Sequence, residues 1–136
     1  METAGAVADK LGLTVRSNAA FLEFDFGDWS GVSIAELDQR ADWKTFCQFR
    51  SSTRAPGGEL ITEVQTRVVT GLAGLCEAHP DQTLAVFSHA DAIKAALLHY
   101  LPAPADNINR LVVDPASISV LTLYPWGPVI SGVNLY

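Results

Sequence analysis

Positive charge is scarce in this sequence. Nine lysines and arginines stand against fifteen aspartates and glutamates, for a formal net charge of −6, and the sequence pI is about 4.8. A nucleic-acid or anionic-membrane surface needs a basic patch, so neither partner is expected. Cysteine is rarer still. Cys47 and Cys76 lie in helix-like segments without CxxC spacing, which reads as two free buried thiols in a reducing cytoplasm. No apolar run reaches the roughly 18 residues of a membrane span. The opening Met1-Glu2-Thr3-Ala4-Gly5 lacks the basic and then apolar arrangement of a secretory signal. No repeat, low-complexity tract or linker interrupts residues 1–136, which read as a single domain.

What the chain does have is core-forming material, with 49% hydrophobic and 18% charged residues. Good helix formers from Met1 to Leu11 precede Gly12, a plausible stop. Leu22 to Gly31, LEFDFGDWSG, mixes aromatics, acids and glycine and reads as a loop of special geometry. Ser33-Ile34-Ala35-Glu36 is a capping-box pattern that opens a helix through about Arg40. A second helix is expected over Trp43 to Arg50, and Ser51 to Gly58 then breaks regular structure. Leu60, Val64, Val68, Leu72 and Leu75 form one apolar stripe on a helix from Leu60 to Ala78. Thr83 to Ser88 reads as a buried strand and Ala90 to Leu101 as the next helix, ended by Pro102. Ser117 to Tyr124 and Val129 to Val133 read as a closing hairpin. This order predicts an α/β sandwich with a largely parallel sheet, in which ligands bind beyond the carboxyl ends of the strands.

His89 falls at such a strand end, just ahead of a helix whose first N–H groups and positive dipole end favour an anion, phosphate above all. An imidazole there can donate to a phosphoryl oxygen. It can equally be a structural histidine that caps a carbonyl, and the local pattern leaves both readings open. Asp91 reads as a first-turn acid that favours the helix dipole rather than as a base. Glu23, among Leu22, Phe24 and Phe26, is a candidate acid for protonating a leaving group. Asp25 and Asp28 compete for that role, and a loop acid pointing to water is the ordinary alternative. Gly27 to Gly31 lacks the spacing of a nucleophile elbow, and Gly57-Gly58-Glu59 is too short for a phosphate-cradling loop. His79 and His99 have no acidic or thiol neighbour at metal-ligand spacing and read as surface or interface residues.

Taken together, these segments resemble the histidine phosphatase superfamily, the phosphoglycerate-mutase-like proteins. FLEFDFGDWSG resembles the family's Leu-x-Glu-x-x-x-Gly-x-Trp-x-Gly element, with Phe21 at the usual leucine. APGGE resembles its Pro-x-Gly-Glu element, followed by a long helix that carries an arginine, here Arg67. VFSHADAIKAAL resembles Val-x-Ser-His-Gly-x-x-Ile-Arg, with Ala90 at the common glycine and Lys94 at the common arginine. LVVDPASISVLTL and Val133-Asn134 match the way members of the bacterial phosphatase branch end.

The resemblance implies a three-layer α/β sandwich with a mostly parallel sheet and phosphoryl transfer to a histidine followed by hydrolysis or re-transfer, the short lid region leaning towards a phosphatase rather than a mutase. His89 then contacts the phosphoryl group, flanked by the substrate-binding positions Ser88 and Ala90, and Glu23 protonates the leaving oxygen. It implies a phosphorylated small-molecule substrate and no metal or organic cofactor. Residues 33–58 match the family's variable lid, with Trp43, Phe46 and Phe49 as candidates for its apolar wall or for packing inside a helical pair.

One family element has no counterpart. No Arg-His-Gly occurs in the sequence, and in the family that histidine is the nucleophile. Thr3-Ala4 looks like the end of the family's Arg-Ala-x-x-Thr-Ala element, so Met1 is expected to be an internal methionine. The domain is then incomplete and lacks the family's first strand-helix-strand segment. These 136 residues are expected to be inactive alone, with an uncovered sheet edge open to a second copy. The alternative is a catalytically dead module that binds a phosphate group or a partner.

Overall fold

The apolar stripe through Val64 and Val68 is what the other elements pack on. In the computed structural model, which describes residues 2–136, it lies on helix α4, Ile61–Ala78, and Ile61, Val64 and Val68 are buried. A preceding helix, α1, Glu2–Leu11, ends as expected at Gly12, whose φ of +66° lets the Leu13 N–H return to the Ala8 carbonyl at 2.9 Å. Helix α2 has the predicted capping box on Ser33 and Glu36 but closes after one turn, Ile34–Leu37. Helix α3 covers Ala41–Gln48, two residues earlier at each end than the apolar pattern suggested. Helix α5, Ala90–Tyr100, lays Ala92, Ala95, Ala96 and Leu98 on the core shared with α4. Gln65 Nε2 on α4 donates to the Ala95 carbonyl at 3.0 Å.

An aromatic cluster fills the space between these helices and the loops. The Phe46 ring lies 5.0 Å from Trp29, 5.4 Å from Trp43 and 5.6 Å from Phe24, centroid to centroid, and these edge and stacked contacts add to area burial. Trp43 and Phe46 are therefore core, not an open wall, while Phe49 is half exposed. Short 3-10 turns at Ala19–Phe21, Gly27–Trp29 and Ala105–Arg110 complete the packing.

The sheet departs most from expectation. Among the described residues it consists of two antiparallel strands, β1, Ile118–Tyr124, and β2, Gly127–Leu135. Pro125 and Trp126 make the two-residue turn of the expected hairpin. Asn134, at φ +56°, closes its base: its Oδ1 accepts from the Asp114 N–H and the Ser117 hydroxyl, and its Nδ2 donates to Val112. Thr83 to Ser88 is not a buried strand. It joins neither β1 nor β2, and Leu84, Val86 and Phe87 are 38%, 37% and 42% exposed. A parallel strand is buried only when strands flank it and helices cover it, and no such sheet forms among the described residues. Cys47 is half-buried, and that burial pushes its thiol up; Cys76 is exposed, so the expectation of two buried thiols fails for the second.

Phe46→Ala removes a fully buried ring from the aromatic cluster. It should lower unfolding stability by about 3–5 kcal/mol, measured by urea denaturation with an unchanged m-value.

Candidate functional site

The two arms of the candidate site come from the loop after Ala19–Phe21 and from the N-terminus of α5. Arg67 on α4 shapes the first arm. Its Nη1 donates to the carbonyls of Ala20 (2.9 Å) and Leu22 (2.8 Å), and its Nη2 to that of Glu23 (2.9 Å). Nε and Nη2 grip the two oxygens of Glu59 at 2.9 and 3.0 Å. All five donors of the guanidinium are thus used. Glu59 Oε2 also accepts from the Asp25 N–H at 3.0 Å, and the Glu59 N–H returns to the Asp25 carbonyl.

Two glycines let the loops touch. A Cβ on Gly27, which has φ +53°, would strike the carbonyl of Pro56, and one on Gly58 would strike that of Asp25. Glu59 lies in the loop that leads into α4, eight residues before Arg67.

Held this way, Glu23 is half-buried, and its Oε1 accepts from the Phe24 N–H at 2.8 Å. Its competitor Asp25 is engaged in the turn, accepting from the Gly27 N–H; Asp28 is exposed. On the second arm, His89 is the N-cap of α5. Its ring is exposed and does not cap the helix, and its carbonyl accepts from the Ile93 N–H at 3.0 Å. Among the described residues, the first N–H groups of α5 have neither an intrahelical acceptor nor a capping side chain.

Ser88 ties the arms together, its hydroxyl donating to the Phe21 carbonyl at 2.8 Å. Ala90 begins the helix beside it. Asp91 does not turn to the helix end: its Oδ2 takes the Arg50 Nη2 donor at 2.7 Å, and Lys94 Nζ lies 3.8 Å from Oδ1. His79 caps the C-terminus of α4, and His99 lies edge-on to Tyr100. No group of acids, cysteines and histidines placed to hold a metal occurs among the described residues, and no helix there is long and apolar enough to cross a membrane.

Two hollows open nearby. One, of about 720 Å³, lies between Ala19–Ala20 and the Thr62, Thr66 and Thr70 face of α4. The other, of about 190 Å³, is lined by Phe26, Trp29, Ile34 and Trp43. Neither is lined by His89 or Glu23.

Burial alone would push the Glu59 carboxyl up, but the hydrogen bonds from Arg67 and the Asp25 N–H outweigh it and hold it below the usual range. A depressed carboxyl contributes stability above its unfolded value, about 4.3, which is lost as pH falls through the folded value. Glu59→Gln should therefore cost about 1–3 kcal/mol at pH 7 and flatten the loss of stability below about pH 4, read from chemical denaturation at a series of pH values.

The comparisons bear on this geometry. The histidine phosphatase superfamily (branch 1) model matches residues 1–135. A bifunctional protein of Mycobacterium tuberculosis is 34% identical over 128 residues, covering 93% of this chain and 35% of that protein. Phosphoserine phosphatase 1 of Hydrogenobacter thermophilus is 27% identical over 135 residues, covering 98% of this chain and 64% of that protein. The chain thus spans between about a third and two thirds of the length of these relatives. The structure of Bacillus stearothermophilus YhfR superposes with a TM-score of 0.91 over 99% of this chain and 68% of that one, at 18% identity. A match over nearly every residue, a shared α/β fold and the resemblance of the Glu23, Glu59 and His89 segments agree: this chain belongs to the histidine phosphatase superfamily.

Proposed function

We propose that the two arms form the anion-binding and proton-donating half of a phosphomonoester hydrolase site. The observation that carries this is His89, exposed at the uncapped N-terminus of α5 and tied through Ser88 to the loop of Glu23. In this reading the attacking histidine lies outside these 136 residues. It forms an N–P bond as the bond from phosphorus to the leaving oxygen breaks. Glu23 gives that oxygen its proton, and His89 and the N–H groups at Ala90 hold the phosphoryl oxygens as charge moves. Water then cleaves the N–P bond and frees phosphate. The curated relatives include phosphatases named for phosphoserine and glucosyl-3-phosphoglycerate, which supports a phosphorylated small molecule as substrate. No cofactor is needed, because the phosphoryl group is carried on protein.

The 136 residues are, in this proposal, one incomplete domain of a mostly parallel three-layer sandwich. The exposed Thr83–Ser88 segment becomes a central strand when its neighbours are supplied. Without them that edge is open to a second copy. A second reading, a module that binds a phosphate group or a partner without turnover, is favoured by the absence of Arg-His-Gly from the sequence.

Without a nucleophile the chain should not hydrolyse 4-nitrophenyl phosphate. Turnover that disappears in His89→Ala would overturn the proposal of inactivity. Light scattering with thermal unfolding tests the edge: the chain should self-associate or melt broadly, and a sharp transition from a proven monomer would contradict this.

A further inference from the structure

Among the described residues, Arg50 is the one charged side chain that the fold buries, at 4% exposed. It follows α3, in the segment that precedes the Glu59 loop. Its guanidinium carbon lies 4.8 Å from the Phe24 ring centroid and 4.3 Å from that of Phe46, a geometry that favours a cation over aromatic faces. Its Nη2 reaches Asp91 Oδ2 at 2.7 Å, and the Asp91 side chain is itself only 14% exposed. Its Nε is buried with no acceptor among the described residues, in contrast to the fully engaged Arg67.

Two of the three groups it touches, Phe24 and Asp91, belong to the two arms. Phe24 follows Glu23 and gives its N–H to that carboxylate. Asp91 stands two residues past His89, in the first turn of α5. An acid in a first turn ordinarily faces the free N–H groups and the positive dipole end. There it would compete with a bound anion and repel it. Here the carboxylate is drawn to Arg50 instead, with Lys94 on its other oxygen.

We infer that Arg50 is a positioning residue of the phosphoryl site. Seated over the rings of Phe24 and Phe46, it pulls the Asp91 carboxylate off the first turn of α5 and neutralises it, which leaves that turn open to an anion and fixes the Glu23 arm against the His89 arm. This assignment rests on the phosphoryl-site reading above. It also makes the 33–58 segment part of the site's charge balance, although Arg50 touches no substrate.

The test titrates inorganic phosphate into the full chain and follows the backbone amides of Ala90 to Ile93 by NMR, in native protein, Arg50→Gln, Asp91→Asn and the double variant. Arg50→Gln should weaken phosphate about tenfold, and the double variant should recover most of the loss because the uncompensated carboxylate is gone. Asp91→Asn alone should bind phosphate as well as native protein or better. Independently of phosphate, Arg50→Gln should slow hydrogen exchange of the first-turn amides as Asp91 turns onto them, and the double variant should reverse this.

Native binding in a folded Arg50→Gln, or no recovery in the double variant, overturns the inference. If Arg50→Gln does not fold, weaker phosphate binding by Asp91→Asn overturns it. If native protein shows no response to phosphate, the phosphoryl-site reading fails, and the exchange rates alone decide the role of Arg50.

Discussion

The guanidinium of Arg67 is the constraint on which the candidate site depends. It joins helix α4, the Glu59 loop and three carbonyls, those of Ala20, Leu22 and Glu23, of the loop that carries Glu23. A loop of this composition has no regular hydrogen bonding of its own, so its carbonyls need donors from elsewhere. A planar five-donor group suits this role in a way that the point charge of a lysine does not. The partly buried ion pair is useful for the geometry it fixes more than for net stability, since desolvation offsets much of the attraction.

Arg50 makes a parallel case at the other arm. Both arginines are held by carboxylates, yet they differ in how fully they are engaged. Arg67 is saturated and shapes backbone. Arg50 makes one hydrogen bond, to Asp91, lies over two aromatic rings, and acts through the charge of Asp91. Between them the two arginines link the loop of Glu23 and the N-terminus of α5 to one aromatic core. Ser88 adds a third tie through Phe21.

The helical part of the fold was legible in the sequence because its signals are local: the stripe on Val64 and Val68, the Ser33–Glu36 box and Gly12 each specify their own element. The buried strand was not, because burial of Thr83 to Ser88 depends on neighbours that a run of apolar residues does not itself encode. The same limit applied to Trp43 and Phe46. Their spacing allowed either an open wall or a packed pair, and only the convergence of Phe24 and Trp29 from a distant loop decides for the core. His89 and Glu23 were legible as candidates through local chemistry and family resemblance. Arg50 was not, because nothing in its neighbourhood along the chain predicts that Asp91, 41 residues on, will meet it.

The crossing of Gly27 and Gly58 reaches beyond the present conformation. Each glycine leaves room for the other loop's carbonyl, so a methyl group at either position forces the two backbones apart, and methyl groups at both make the separation worse. No stepwise route of single replacements leads away from this arrangement while the loops remain together. The Glu23 loop and the Glu59 loop are in that sense a single inherited unit, free to vary along their outer faces but closed to drift where they cross.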